Sequence, residues 1–268
     1  MEYSPQSWGS ASWCVVLGDR AFENQLIPET KTAFRAIEAA TRAAIPPAVV
    51  VDDGGWILCA NGGVIGRANS VSPEAGDDHL DGRIARAEAF YAGYELPPKF
   101  RLSPHSPEGL EAALASRGYH AVEPTRVMTR APGGIAPVEG VEFVVSPDAE
   151  WIDVFTAAGA PEQGRGRVEA LTRGRNRFGQ IVMDGQVVAV GVIGGCDGWQ
   201  GLHGMRTRPE ARRQGLARRL AGALLAAAGR EATRGYVLQV EAPNAAAIAL
   251  YERLGFSEAW TYAYWVRG

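Results

Sequence analysis

The chain has 268 residues, 46% of them hydrophobic and 21% charged, with a formal net charge of −3. That composition suits one large globular domain or two small ones, and it argues against nucleic-acid binding driven by overall basicity. Cys14, Cys59 and Cys196 are odd in number and lack metal-ligand spacing, so neither a disulfide framework nor a metal site is expected. Met1 to Ser10 shows no secretion signal, and the longest small-apolar run, Leu220 to Ala228, is too short for a bilayer. The expectation is a cytoplasmic protein with no membrane partner.

In chain order, residues 29–44 read as a helix. Residues 47–73 read as strands with glycine turns, Trp56 to Ala60 and Val64 to Val71 among them. Helices are predicted over 82–94 and 107–119, with the short strand "KFRLS" between them. "RAPGGIAPVEG", Arg130 to Gly140, combines three glycines and two prolines and reads as a linker. Beyond it come a strand at 141–145 and a helix started by Ser146, Pro147 and Asp148 that runs towards Ala158. Two strands then meet at Asp184-Gly185, a strong hairpin signal. "WQGLHGMRT" is a further strand, followed by a helix from about Arg212 to Gly229, the strand "GYVLQVEA", the helix "NAAAIALYERLG" and a closing aromatic strand. Residues 114–130 and 251–268 both run helix end, Gly-aromatic, strand, a faint internal echo between the two halves.

"RPEARRQGLARRL", residues 208 to 220, places five arginines around a Gly-x-Ala step where a helix opens. The first turn of a helix has unpaired N–H groups and partial positive charge. Small residues at Gly215 and Ala217 let a pyrophosphate approach those groups, and Arg212, Arg213, Arg218 and Arg219 add charge-assisted bonds. On the preceding strand, alternation puts His203, Met205 and Thr207 on one face and Leu202, Gly204 and Arg206 on the other. Asn244 and Tyr251 lie seven residues apart on one helix face, about 10.5 Å along the axis, which suits a long thin ligand.

The order strand, R-x-x-G-x-A, helix, strand, N-x-x-A-x-x-x-Y-x-x-x-G-F resembles the GNAT acetyltransferase superfamily. Arg212, Gly215 and Ala217 match its pyrophosphate loop; Asn244, Ala247, Tyr251, Gly255 and Phe256 match its second motif. The resemblance implies an α/β fold, a mixed sheet flanked by helices, in two tandem domains. These would be a degenerate GNAT-like domain at 1–132, a linker at 133–140 and a catalytic domain at 141–268. It also implies acetyl-CoA as cosubstrate and a primary amine as acceptor, with the protein a monomer or homodimer. Main-chain groups of Met205, Arg206 and Thr207 would line the pantetheine, and Gln214, Gly215, Leu216, Ala217 and Arg218 would hold the pyrophosphate. Tyr251 would protonate the departing thiolate.

His203, Glu241 or water would take the amine proton. Plainer readings stand beside these: Asn244 as a helix N-cap, His203 as a packed strand residue, and Trp199, Tyr262, Tyr264 and Trp265 as core filling rather than acceptor pocket. "RANSV", 67–71, fits a structural turn or the acceptor cleft. A non-catalytic acyl-CoA-binding sensor or scaffold is the alternative function.

Overall fold

The computed structural model describes residues 31–76, 78–156 and 161–268. The Met1 to Ser10 stretch, Cys14 and the expected helix end at Ala158 lie outside the described residues. The first half supplies α1 (Lys31–Ala44), β1 (Val49–Asp52), β2 (Trp56–Ala60), β3 (Val71–Pro73), α2 (Leu80–Ala92), β4 (Lys99–Leu102), α3 (Leu110–Ser116) and β5 (His120–Arg130). The second supplies β6 (Glu142–Val144), α4 (Ala149–Thr156), α5 (Pro161–Arg173), β7 (Asn176–Met183), β8 (Gln186–Cys196), β9 (Trp199–Thr207), α6 (Leu216–Ala227), β10 (Gly235–Glu241), α7 (Ala245–Arg253) and β11 (Ser257–Val266).

All these strands join one mixed sheet, ordered β1-β2-β3-β4-β11-β5-β10-β9-β8-β7-β6. Counting inward from β1 and from β7, the two sides follow the same course: two antiparallel strands, a parallel pair (β3–β4 and β9–β10), then an antiparallel neighbour. At the centre the neighbours are exchanged. β5 of the first half pairs with β10, whereas β11 of the second half pairs with β4, and β5 and β11 pair with each other. Strands from both sides of residues 133–140 therefore share one sheet. The linker itself is irregular, as expected, and crosses α6, with half-buried Ile135 packed against the core under that helix and Val138 against Gly222.

Apolar periodicity explains the layers. On α6, Leu216, Leu220 and Leu224 form one stripe packed on Ile181, Ala189, Leu202 and Leu238 of the sheet. The opposite face is covered by α4 and α5, through Trp151, Phe155, Val168 and Leu171, and by α1, through Phe34, Ile37 and Ala40. β8 is buried on both faces, which is why Val187 to Ile193 reads as a continuous apolar run rather than an alternation. In the first half, Ile84, Tyr91, Leu110 and Leu114 pack on Trp56, Leu58 and Phe100.

Three expectations are corrected. No strand spans Val64 to Val71; residues 66–68 form a 3-10 turn and β3 begins only at Val71. Asn69 is the cause: its Oδ1 accepts from the Asn61 and Gly63 amides and its Nδ2 donates to the Ile65 carbonyl, so local bonds replace a ladder. The helix after β9 starts at Leu216 rather than Arg212, with a separate 3-10 turn at Pro209–Ala211. The helix expected over 107–119 is confined to Leu110–Ser116.

One ion pair in the interior ties α1 to β4: Glu38 and Arg101, both buried, are joined through Oε2 and Nη2, and the same nitrogen reaches Ser72 Oγ at 3.2 Å. Removing one charge strands the other. Glu38→Gln is expected to lower unfolding free energy by roughly 3–5 kcal/mol, read from urea denaturation.

Candidate active site

β9 and β10 run parallel and are paired from Gly235↔Trp199 to Leu238↔Leu202, and no further. Beyond that point β9 stays on β8 as far as Thr207↔Ala189, while β10 stays on β5 as far as Glu241↔Thr125. The two strands therefore diverge, and a wedge opens between residues 203–207 and 239–241. α6 begins at the wide end of that wedge, directly after the loop leaving β9.

The α6 mouth is open and ringed by arginines. Gly215 is the N-cap with φ +76, and no side chain caps the helix. The amides of its first turn are thus left without side-chain partners. A Cβ placed at Gly215 would meet nothing within 4 Å, so the approach to those amides is open. Arg213 also adopts positive φ (63). Arg212, Arg213 and Arg218 are exposed around this opening, and Arg212 Nε donates to the Thr207 carbonyl at 3.3 Å, tying the loop to the end of β9. At the matching position of the first half, Asp78 precedes α2 and Asp81 lies in its first turn, and Arg83 fills the space by bonding Asp78 and the Asp53 carbonyl.

The expected sharing of one β9 face by His203, Met205 and Thr207 is corrected by a bulge. Between Val190↔Arg206 and Val192↔His203, β9 has one residue more than β8. Gly204 absorbs it with φ +61, a conformation open to glycine at no steric cost. Met205 consequently packs with Leu202 in the core under α6, whereas His203 turns to the opposite face with Arg206. The bulge leaves Gly204 and Met205 without a registered partner on β8.

His203 is buried and lies over Gly201. Its Nδ1 sits 3.3 Å from Arg67 Nη2. Arginine only donates, so Nδ1 accepts and the neutral ring carries its proton on Nε2. Burial, reinforced by the Arg67 guanidinium, holds this imidazole well below the ordinary histidine range. Arg67 belongs to "RANSV", whose role in the first half was open from sequence; nothing in its spacing announced a contact with β9, 136 residues away.

On the other side of the wedge, Asn244 caps α7, its Oδ1 accepting from the Ala247 amide at 3.1 Å. Asn244→Ala should therefore cost about 1 kcal/mol, seen as a lower Tm that Asn244→Ser restores. Tyr251, two turns along, is buried against Phe256 with ring centroids 6.2 Å apart. Among the described residues its hydroxyl has no hydrogen-bond partner. Burial raises its pKa above the ordinary phenol value, with the nearby Arg206 opposing. Glu241, exposed at the end of β10, also acts on Arg206. Trp199, Tyr262 and Tyr264 are in the core beside α1, and Trp265 packs on the core of the first half. Among the described residues no His, Cys, Asp and Glu cluster has metal-binding geometry, and no helix is long and apolar enough to cross a membrane.

The family model described as the C-terminal part of the probable histone acetyltransferase Rv0428c matches residues 31–265. The chain belongs to this acetyltransferase family, within the GNAT superfamily. YobR of Bacillus subtilis (strain 168), described as an uncharacterized N-acetyltransferase, is 30% identical over 234 residues, covering 84% of this chain and 94% of YobR. The probable histone acetyltransferase Rv0428c of Mycobacterium tuberculosis is 32% identical over 234 residues, covering 85% of this chain and 72% of that protein. Among solved structures, a GCN5-related N-acetyltransferase from Kribbella flavida aligns with TM-score 0.65 at 18% identity, over 87% of this chain and 94% of that one. A tandem GNAT protein from the clavulanic acid biosynthesis pathway aligns with TM-score 0.57 at 17% identity, over 88% and 94%. GNAT acetyltransferases take acetyl-CoA as cosubstrate, and the open, uncapped α6 mouth with its arginines fits a pyrophosphate.

Proposed function

We propose that this GNAT chain moves the acetyl group of acetyl-CoA to a primary amine of a small-molecule acceptor, and that it consists of two GNAT-like repeats, 1–132 and 141–268, of which the second is catalytic. The observation that carries the reading is the wedge between β9 and β10 opening onto the uncapped start of α6. The amides of Gln214, Gly215, Leu216, Ala217 and Arg218, helped by Arg212 and Arg213, hold the pyrophosphate. The β9 edge, Met205 to Thr207, and the α7 residues Asn244 and Ala247 flank the rest of the coenzyme.

Acetyl-CoA, when bound, supplies an activated thioester, so the chain needs no nucleophile of its own. The residues have to position the amine, move its proton and help the sulfur leave. The Met205 main-chain amide, beside the bulge, is the donor for charge building on the carbonyl oxygen. As the amine N–C bond forms and the C–S bond breaks, the Tyr251 hydroxyl gives its proton to sulfur. Glu241, directly or through water, takes the proton shed by the amine. His203 is poorly suited to act as that base, because its Nδ1 lone pair is engaged by Arg67 and its Nε2 already bears hydrogen. Release of CoA thiol, assayed across a panel of primary amines, tests the reading. Turnover with at least one amine is expected; tight acetyl-CoA binding with no CoA release from any amine would point instead to a non-catalytic sensor.

A further inference from the structure

The face of the wedge that carries His203 has a charge pattern that bears on the acceptor. Arg67 Nη1 donates to Gln239 Oε1 at 2.7 Å, and Nη2 donates to His203 Nδ1 at 3.3 Å. Both partners are uncharged. Among the described residues, no carboxylate forms an ion pair with Arg67, although its neighbour Arg101 is neutralised by Glu38. Arg67 is half-buried with its Nε closed to solvent, and a guanidinium so placed ordinarily has an anion beside it.

The atoms left over in this cluster all have the same hydrogen-bonding sense. Gln239 Oε1 accepts from both Arg67 and the Tyr262 hydroxyl, the latter at 3.1 Å, so the amide orientation is set and its NH2 end is spare. Gln239 Nε2, Arg67 Nε and His203 Nε2 are buried with no partner among the described residues, and each is a donor. An ionised carboxylate is acceptor-only, the complement of such a set. Two further guanidiniums stand close by without an ion pair among the described residues. Arg206 is within electrostatic reach of Arg167, and Arg167 is pinned by its Nε to the Val64 carbonyl at 3.2 Å, three residues before Arg67. Among the described residues Glu241 is the carboxylate acting on Arg206. A polycationic acceptor would meet like charge here.

Resting on the acetyl-transfer reading above, we propose that the acceptor is an amino-carboxylate, its carboxylate held by Arg67 and the Gln239 amide. The surrounding cations also lower the pKa of an acceptor ammonium, which favours the neutral nucleophile. Initial rates at saturating acetyl-CoA test this on matched sets: an amino acid, its primary amide and its decarboxylated amine, beside a polyamine, an aminoglycoside and phosphoethanolamine. The carboxylated member should exceed its uncharged counterparts in kcat/KM by on the order of 10²-fold or more. Arg67→Gln should erase that preference chiefly by raising KM. Gln239→Glu, which neutralises Arg67 in place and so spares the fold, should erase it too. Equal or better use of uncharged or cationic amines by the wild type overturns the proposal, as does a carboxylate preference surviving both variants. Preference for phosphoethanolamine overturns the carboxylate assignment. Calorimetry separates acetyl transfer from acceptor choice: failure to bind acetyl-CoA sinks both, whereas intact donor binding with no carboxylate selectivity, in turnover or in titration of the CoA complex, sinks the Arg67 assignment alone.

Discussion

Replacing Tyr251 with phenylalanine is expected to lower kcat by roughly 10²- to 10³-fold while leaving acetyl-CoA affinity within a few-fold. The ring is buried against Phe256 and Ile248 in the core under α6 and makes no hydrogen bond through its hydroxyl among the described residues, so Phe preserves the packing. What is lost is one proton, at the place where sulfur departs. Burial raises the phenol above its ordinary value of 10.0, the Arg206 charge acting in the other direction. The sign is the right one for an acid: the hydroxyl stays protonated through the neutral range, and no alkaline fall in kcat from this group should occur below that value. A phenol so raised is a weak donor to a thiol of pKa about 8.5. In the proposed mechanism the transfer is therefore late: the hydroxyl first hydrogen-bonds the charge developing on sulfur, strengthened by exclusion of water, and gives up its proton as the thiolate forms. A Tyr251→Phe protein as fast as the wild type would remove Tyr251 from the mechanism.

Gly215→Glu should abolish measurable acetyl-CoA binding, a loss on the order of 10²-fold or more, without unfolding the protein. The fold tolerates the side chain because a Cβ there meets nothing within 4 Å. The backbone is strained somewhat, since φ is +76 and an L side chain in that region costs about 1–2 kcal/mol. Gly215→Ala carries the same strain with no charge and so serves as the control, expected to lose about tenfold or less. Calorimetry with acetyl-CoA, beside thermal unfolding of each variant, distinguishes repulsion at the helix mouth from local strain. Affinity retained in Gly215→Glu would place the pyrophosphate elsewhere.

Where structure is local, it was legible. The Asp184-Gly185 hairpin joins β7 to β8, the linker is irregular, and the amphipathic stripe on α6 faces the sheet as its leucine spacing requires. Asn244 caps its helix as its place after Pro243 allows. Val64 to Val71 failed as a strand because one asparagine offered the backbone nearer partners than a neighbouring strand does. The faces of β9 were misassigned for a related reason. Alternation holds only while both strands advance in step, and a single extra residue at Gly204 reverses the side on which His203 lies relative to Met205. α5 was not marked out at all: three glycines and a proline within 159–166 obscure its period.

The sequence by itself determined the open glycine start of α6, its arginines and the Asn–Tyr helix, since each is written within a few consecutive residues whose physics is that of one turn or one helix face. The tertiary structure alone decided the exchange of β5 and β11 between the halves, the wedge between β9 and β10, and the meeting of Arg67 with His203 and Gln239 across 136 and 172 residues of chain. Such contacts are selected by burial and hydrogen-bond satisfaction summed over the whole sheet, and no short stretch of residues carries that sum.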